Sequence, residues 1–228
     1  MIRKITFTPD EWYHCYNRGV DKRIIFKNDT DYRRFVMLLY ACNGTERLIL
    51  SNFGKNYAGP TLDLIVKNKR GKQLVDIGAY ALMPNHYHLL LRESVPGGIT
   101  SFMRKIGTGY AMSFNLKYKR VGALFSSKFQ ARHVTDDRYM RRLIHYIHAN
   151  PVELFESGFK EGKIKSHKVL EQKLFSYQYS SFPDYQKNTN RLEKVVLNQK
   201  ALFEAVDIDF SFSHMMRDAF DFVRVVET

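Results

Sequence analysis

Polar and apolar residues alternate along EWYHCYNRG, residues 11–19, which predicts a strand ending at Gly19. The period then changes. In NDTDYRRFVMLLYAC, Tyr32, Phe35, Val36, Leu38 and Leu39 recur at helical spacing, with Asn28 or Asp29 available as the cap. Residues 43–74 keep neither period: glycines, asparagines, a proline and lysines surround two short apolar pieces, as in a long, partly ordered insertion. From Val75, DIGAYALMPNHYHLLLRES predicts two strands joined at a Pro84-Asn85 turn. GGITSFMRKIGTGYAMSFNLKYKR then places Phe102, Met103, Ile106, Tyr110, Met112 and Phe114 along a helix that Gly107 and Gly109 weaken. A strand, ALFSSKFQARHV, follows. In DDRYMRRLIHYIHANP, Met140, Leu143, Ile144 and Ile147 form a helical stripe, capped by Asp136 or Thr135 and stopped by Pro151.

The order is strand, helix, two strands, helix, strand, helix. That order predicts an α+β, ferredoxin-like (split βαβ) antiparallel sheet with helices on one side, plus a C-terminal extension. A core domain over residues 1–185, interrupted by the insertion at 43–74, and an extension of unassigned role over 186–228 account for the chain. There is no internal repeat or low-complexity tract.

Charge narrows the partners. The chain has 36 Lys and Arg against 23 Asp and Glu, a formal net charge of +13, which favours a polyanion such as nucleic acid. Two cysteines, Cys15 and Cys42, are too few for a disulfide framework or a cysteine-ligated zinc site. The first residues lack an apolar run of signal-peptide length, and no stretch reaches the roughly 18 apolar residues of a membrane span. The expectation is a cytoplasmic protein.

The chemistry centres on MPNHYHLLL. On a strand, His86 and His88 project to one face while Tyr87, Leu89 and Leu91 project to the other. In the last helix of the core, Tyr146 and Asn150 are four residues apart and share a face at the flank of the apolar stripe. If that helix packs beside the histidine strand, two neutral imidazoles and an amide oxygen make a partly open site for a divalent metal, Mg or Mn. Each feature alone also has a plain structural reading: a hydrogen-bonded histidine pair, a packed tyrosine, and an asparagine at an ordinary helix stop.

In combination, PNHYHLLL and YIHANPV resemble the paired signature of the single-tyrosine HUH transposases, the IS200-like superfamily, and within it the REP-associated tyrosine transposase branch. WYHCYNRGVDKRIIF, FNLKYKRVGALFSSKFQARHV and YSSFPDY add matches in the expected order, so the resemblance spans roughly residues 12–185. It implies that His86 and His88 bind the divalent cation, that Tyr146 is the nucleophile and that Asn150 is a third polar ligand. His145 and His148 remain open as alternatives to Asn150. It further implies cleavage and rejoining of single-stranded DNA bearing hairpins formed by palindromic repeats, through a 5′-phosphotyrosine link. Whether the protein acts as a monomer or a homodimer is left open.

Expected DNA-binding residues are Arg18, Lys22 and Arg23 after the first strand, Arg104 and Lys105 on the second helix, and Lys117, Lys119, Arg120, Lys128 and Arg132 around the last strand. Tyr110, Phe114 and Tyr118 interleave with them, as stacking platforms for bases or as core residues at helical spacing. Two other functions fit the same charge. A non-catalytic nucleic-acid-binding module on a ferredoxin-like sheet needs neither histidine, and a hydrolytic metallonuclease does not need Tyr146.

Overall fold

The computed structural model describes residues 5–46, 48–50, 61–159, 164–186 and 189–226. Strand β1 (Trp12–Arg18) leads to α1 (Asp29–Ala41), whose N-cap is Asn28: its side chain accepts from the Asp31 N–H. A single helical turn, α2 (Leu62–Ile65), lies within the insertion. Strands β2 (Val75–Met83) and β3 (His86–Glu93) form the hairpin, with Pro84 and Asn85 between them. Helix α3 (Gly98–Lys117), β4 (Gln130–His133) and α4 (Asp137–Ala149) complete the core.

The sheet order is β2-β3-β1-β4, and each neighbouring pair is antiparallel. This is the split βαβ order, with β3 inserted between β1 and β2. The expected α+β class is therefore the class observed. The last strand is shorter than ALFSSKFQARHV suggests. Only residues 130–133 pair as a ladder; Phe125 bridges to Gly19 alone, and Ser126 donates to the Arg18 carbonyl at 2.9 Å, so residues 125–129 run as a loop past the end of β1.

Alternation decides what each face carries. Tyr13 and Cys15 of β1, with Tyr87, Leu89 and Leu91 of β3, pack under α1 and α3. Gly109 fits that contact, since a Cβ there would lie 3.7 Å from Leu38 of α1. The helices are not confined to that side. Trp12, Leu90, Ala79 and Ala81 make the opposite face apolar as well, and the stripe of α4 (Met140, Leu143, Ile144, Ile147) covers it. The one-sided arrangement thus holds for the two crossover helices and is corrected for α4. The physical reason is that an apolar second face needs its own cover.

The C-terminal segments build on this second layer. Helix α5 (His167–Ser176) precedes YSSFPDY, which shields the outer edge of β2: Ser181 N–H donates to the Tyr80 carbonyl and Leu82 N–H to the Tyr179 carbonyl, both at 2.9 Å, while Tyr177, just before the motif, donates from Oη to the Leu82 carbonyl at 2.6 Å. Helix α6 (Gln199–Ala205) adds Ala201 and Leu202 to the same apolar layer as α4. Helix α7 (Phe212–Val226) lies on α4, where His145 Nδ1 meets Asp218 Oδ2 at 2.8 Å and Arg142 pairs with Asp221 at 3.5 Å. The ends of the insertion are tied down by Asn43, which accepts from the Leu74 and Val75 N–H groups and donates to the Val75 carbonyl.

Candidate active site

His86 and His88 stand on the same face of β3, the face that α4 covers. The two rings are 5.1 Å apart and nearly perpendicular. Tyr146, half-buried on α4, brings its ring to 5.4 Å from that of His88. Asn150 is buried at the end of α4, and its amide orientation is set at both ends. Nδ2 donates to the Tyr146 carbonyl at 3.0 Å, and Oδ1 consequently faces His86 Nε2 at 3.4 Å. The asparagine ends the helix and lines the cleft through the same arrangement.

Each histidine has a partner behind it. His86 Nδ1 lies 2.6 Å from Asn85 Oδ1; an amide oxygen can only accept, so Nδ1 carries the proton and Nε2 presents its lone pair towards Asn150. His88 Nδ1 meets His14 Nε2 at 2.8 Å. His14 lines the same cleft and is absent from the residues that the sequence singles out. The available signal was the even face of β1, His14, Tyr16 and Arg18, but the β1–β3 pairing that brings this face beside His86 and His88 is a tertiary fact.

These residues border a cleft of about 360 Å³, together with Tyr16, Arg18, Arg132, Glu153 and Phe222. Glu153 reaches it because the chain continues past α4 as a 3₁₀ turn through Pro151. Phe222 of α7 packs on the Tyr146 ring at 4.7 Å, so the C-terminal extension supplies one wall. Of the expected DNA-binding cations, Arg18 and Arg132 line this cleft, while Arg104 and Lys128 line a separate cavity. Lys22 and Arg23 sit on the loop behind Asn85, whose Nδ2 donates to the Lys22 carbonyl at 3.3 Å.

Other expected cations are engaged within the fold. Lys105 donates to the Gly44 carbonyl at 2.6 Å, Lys117 pairs with Asp31 at 2.6 Å, and Arg120 Nη1 holds Asn115 Oδ1 at 2.5 Å. Lys119 is exposed just beyond α3. Tyr110 and Phe114 are core residues, and Tyr118 Oη donates to Asp31 at 2.8 Å, so this trio does not offer open faces for stacking. His145 and His148 also point elsewhere: the first is held by Asp218 and the Asp209 carbonyl, the second by Ser181 Oγ at 2.8 Å.

Among the described residues no group of three or more His, Cys, Asp or Glu is placed to hold a metal ion. The donor set that does converge includes an amide. Cis ligands of an octahedral cation with bonds of about 2.1 Å stand roughly 3 Å apart, close to the 3.4 Å between His86 Nε2 and Asn150 Oδ1. A proton on His88 Nδ1, donated to His14, leaves His88 Nε2 as a second imidazole donor. Two imidazoles and an amide oxygen fit a divalent cation; imidazole is softer than the oxygen ligands Mg²⁺ prefers, so Mn²⁺ is the better match of the two.

Residues 53–150 match the family described as "Transposase IS200 like". That stretch contains His86, His88, Tyr146 and Asn150, so the resemblance drawn from the motifs is borne out by the IS200-like transposase match. A solved structure described as the REP-associated tyrosine transposase bound to a REP hairpin is also similar to this chain. The two share 14% identity and a TM-score of 0.49 over 85% of this chain and 89% of that one. No curated protein matches the chain. Among the described residues no helix is long and apolar enough to cross a membrane.

Burial keeps His14, His88 and His148 neutral. It pushes His14 down to about 3, with Arg132 adding to the effect, and His148 down to about 3, with His145 adding. It also holds His88 well below the ordinary 6.5, with neighbouring His14, His86 and Arg18 contributing. His14 and His148, buried neutral, each bind fewer protons folded than unfolded, so their stabilisation is complete above the unfolded value and is lost as pH falls from about 6.5 towards 3. Lowering pH from 7 to 5 is expected to cost on the order of 2 kcal/mol per such histidine, read as a drop in the urea midpoint. An unchanged midpoint would contradict neutral burial.

Proposed function

We propose that this protein is a metal-dependent endonuclease and strand transferase of the single-tyrosine HUH kind, acting on single-stranded, hairpin-bearing DNA. One observation carries the reading: α4 and β3, some sixty residues apart in sequence, bring Tyr146, Asn150, His86 and His88 to a single cleft. The IS200-like match supports it. So does the cationic wall, since Arg18 and Arg132 suit the phosphates of a strand entering between them.

In the proposed reaction Tyr146 Oη attacks a backbone phosphorus, forming a P–Oη bond as the bond from phosphorus to the 3′ oxygen breaks. The phenol proton passes to solvent, and the leaving oxygen takes up a proton to become a 3′-hydroxyl. The 5′-phosphotyrosine conserves the bond energy, so attack by another 3′-hydroxyl rejoins the strand without water or a nucleotide. A divalent cation held by His86, His88 and Asn150 would supply Lewis-acid stabilisation of the charge that develops on the phosphate oxygens. Phe222 and the body of α4 hold the Tyr146 ring against the histidine face. Asn85 and His14 act behind the imidazoles, fixing which nitrogen faces the cleft.

The test is a covalent adduct. Incubation with Mn²⁺ and a pool of hairpin oligonucleotides labelled downstream of the stem is expected to give a labelled protein band on a denaturing gel. Mass spectrometry of the tryptic digest should place the nucleotide on Tyr146. Cleavage without an adduct would show hydrolysis instead, and hairpin binding without cleavage under any metal would leave only a binding module.

The role given to His14 has its own measurement. His14→Ala is expected to weaken Mn²⁺ binding about 10- to 100-fold, read from the free-ion signal in electron paramagnetic resonance. His14→Gln, whose amide oxygen can accept from His88 Nδ1, is expected to recover part of it. Equal affinity in the wild type and His14→Ala would remove His14 from the site.

A further inference from the structure

A larger cavity, about 730 Å³, opens on the α1 and α3 side of the sheet, between α3, residues 5–7 and the loop at residues 125–129. It shares Asn17 and Ser127 with the catalytic cleft, and Asn17 Nδ2 donates to the Ser127 carbonyl at 3.0 Å. One hydrogen-bonded wall therefore separates the two. A strand leaving the cleft over the 125–129 loop arrives at this second opening.

The lining is aromatic and cationic in the same place. Phe7, Phe125 and Phe129 contribute rings, and those of Phe7 and Phe129 are close to parallel, at 16°. Arg104 and Lys128 are exposed, and neither forms an ion pair among the described residues. A neutral apolar ligand has no use for two such cations, and a free phosphate has no use for the rings. An unpaired base with its flanking phosphates uses both. Glu93 also lines the cavity, but its two carboxylate oxygens accept from the Gly97 and Ile99 N–H groups at 2.8 and 3.0 Å. Its charge keeps phosphate out of the interior and at the Arg104 and Lys128 positions.

Helix α3 leaves the space open at one point. A Cβ built on Gly107 meets nothing within 4 Å, although this residue lines the cavity from within a helix where glycine costs stability. We propose that the cavity holds one unpaired nucleobase of the DNA strand beside the segment being cleaved, with the adjoining phosphates on Arg104 and Lys128. The inference rests on the reading of the cleft as a DNA strand transferase site.

The experiment uses the full chain and a pool of stem-loop oligonucleotides with randomised single-stranded flanks of about ten nucleotides, carrying 5-iodo-2′-deoxyuridine. Irradiation and peptide mapping are expected to find cross-links at Phe7, Phe125 or Phe129. Gly107→Phe, which fills the space, should reduce them at least about tenfold, whereas Gly107→Ala should not. If Gly107→Phe fails to fold, the double variant Arg104→Ala, Lys128→Ala is expected to lower the same cross-links about three- to tenfold. Absence of cross-links in the cavity of the wild type, or cross-links undiminished in a folded Gly107→Phe or in the double variant, would overturn the inference. Tyr146 adducts formed from the same pool with no cavity cross-links would overturn it alone; loss of both would overturn the strand-transferase reading as well.

Discussion

Tyr146→Phe is expected to abolish the covalent protein–DNA adduct, a loss of at least about 10³-fold that corresponds to some 4 kcal/mol of transition-state free energy. The substitution removes one oxygen and keeps the ring, which packs between His88 at 5.4 Å and Phe222 at 4.7 Å. Those contacts are apolar and persist in the variant, so the fold should be retained within about 1 kcal/mol. Hairpin binding should also stay within a few fold, because Arg18 and Arg132 are untouched. Adduct yield on a denaturing gel, hairpin affinity and a thermal melt separate the three quantities. An adduct that survives in Tyr146→Phe would move the nucleophile elsewhere.

The second large effect is expected from His86→Ala. His86 is half-buried at the mouth of the cleft, and its Nε2 faces Asn150 at 3.4 Å, so the alanine removes a donor without opening a core cavity. Mn²⁺ affinity is expected to fall on the order of 100-fold or more, beyond the loss expected for a residue acting behind a ligand. Cleavage should fall with it and be restored only in part by excess metal. Chelator should reproduce the loss in the wild type and be reversed by adding Mn²⁺. Hairpin binding is again the control, since the cationic wall does not depend on the imidazole. His88→Ala is a poorer probe: His88 is buried and its removal strands His14 Nε2 without a partner, which costs stability as well as chemistry. Cleavage of undiminished rate in His86→Ala would sink the metal assignment.

Local patterns carried much of this protein. The alternation of β1 and of the β2–β3 hairpin, the caps at Asn28 and Asp136 and the stripe of α4 each follow from the chemistry of a few neighbouring residues, and each element formed where its period placed it. The same-face placement of His86 and His88 is a consequence of the strand repeat, and that of Tyr146 and Asn150 of the helix repeat. Charge was less legible. Lys105, Lys117 and Arg120 look in sequence like Arg18 and Arg132, yet the first three are spent on a carbonyl, a carboxylate and an amide inside the fold. Gly44 and Asp31 are distant in sequence from Lys105 and Lys117, and no local rule pairs them.

By itself, then, the sequence determined the elements, the α+β class and the two halves of the candidate site, because periodicity and capping act over a few residues. Tertiary structure decided that the halves meet. The face of the sheet that α4 covers depends on Trp12, Ala79, Ala81 and Leu90 collecting into a second apolar layer. The hydrogen bond between His88 and His14 depends on the pairing of β1 with β3. The wall that Phe222 supplies depends on α7 docking against α4 through Asp218 and Asp221. These are contacts between elements remote from one another in sequence, set by which apolar surfaces bury one another, and alternation within a strand or turn within a helix carries no record of them.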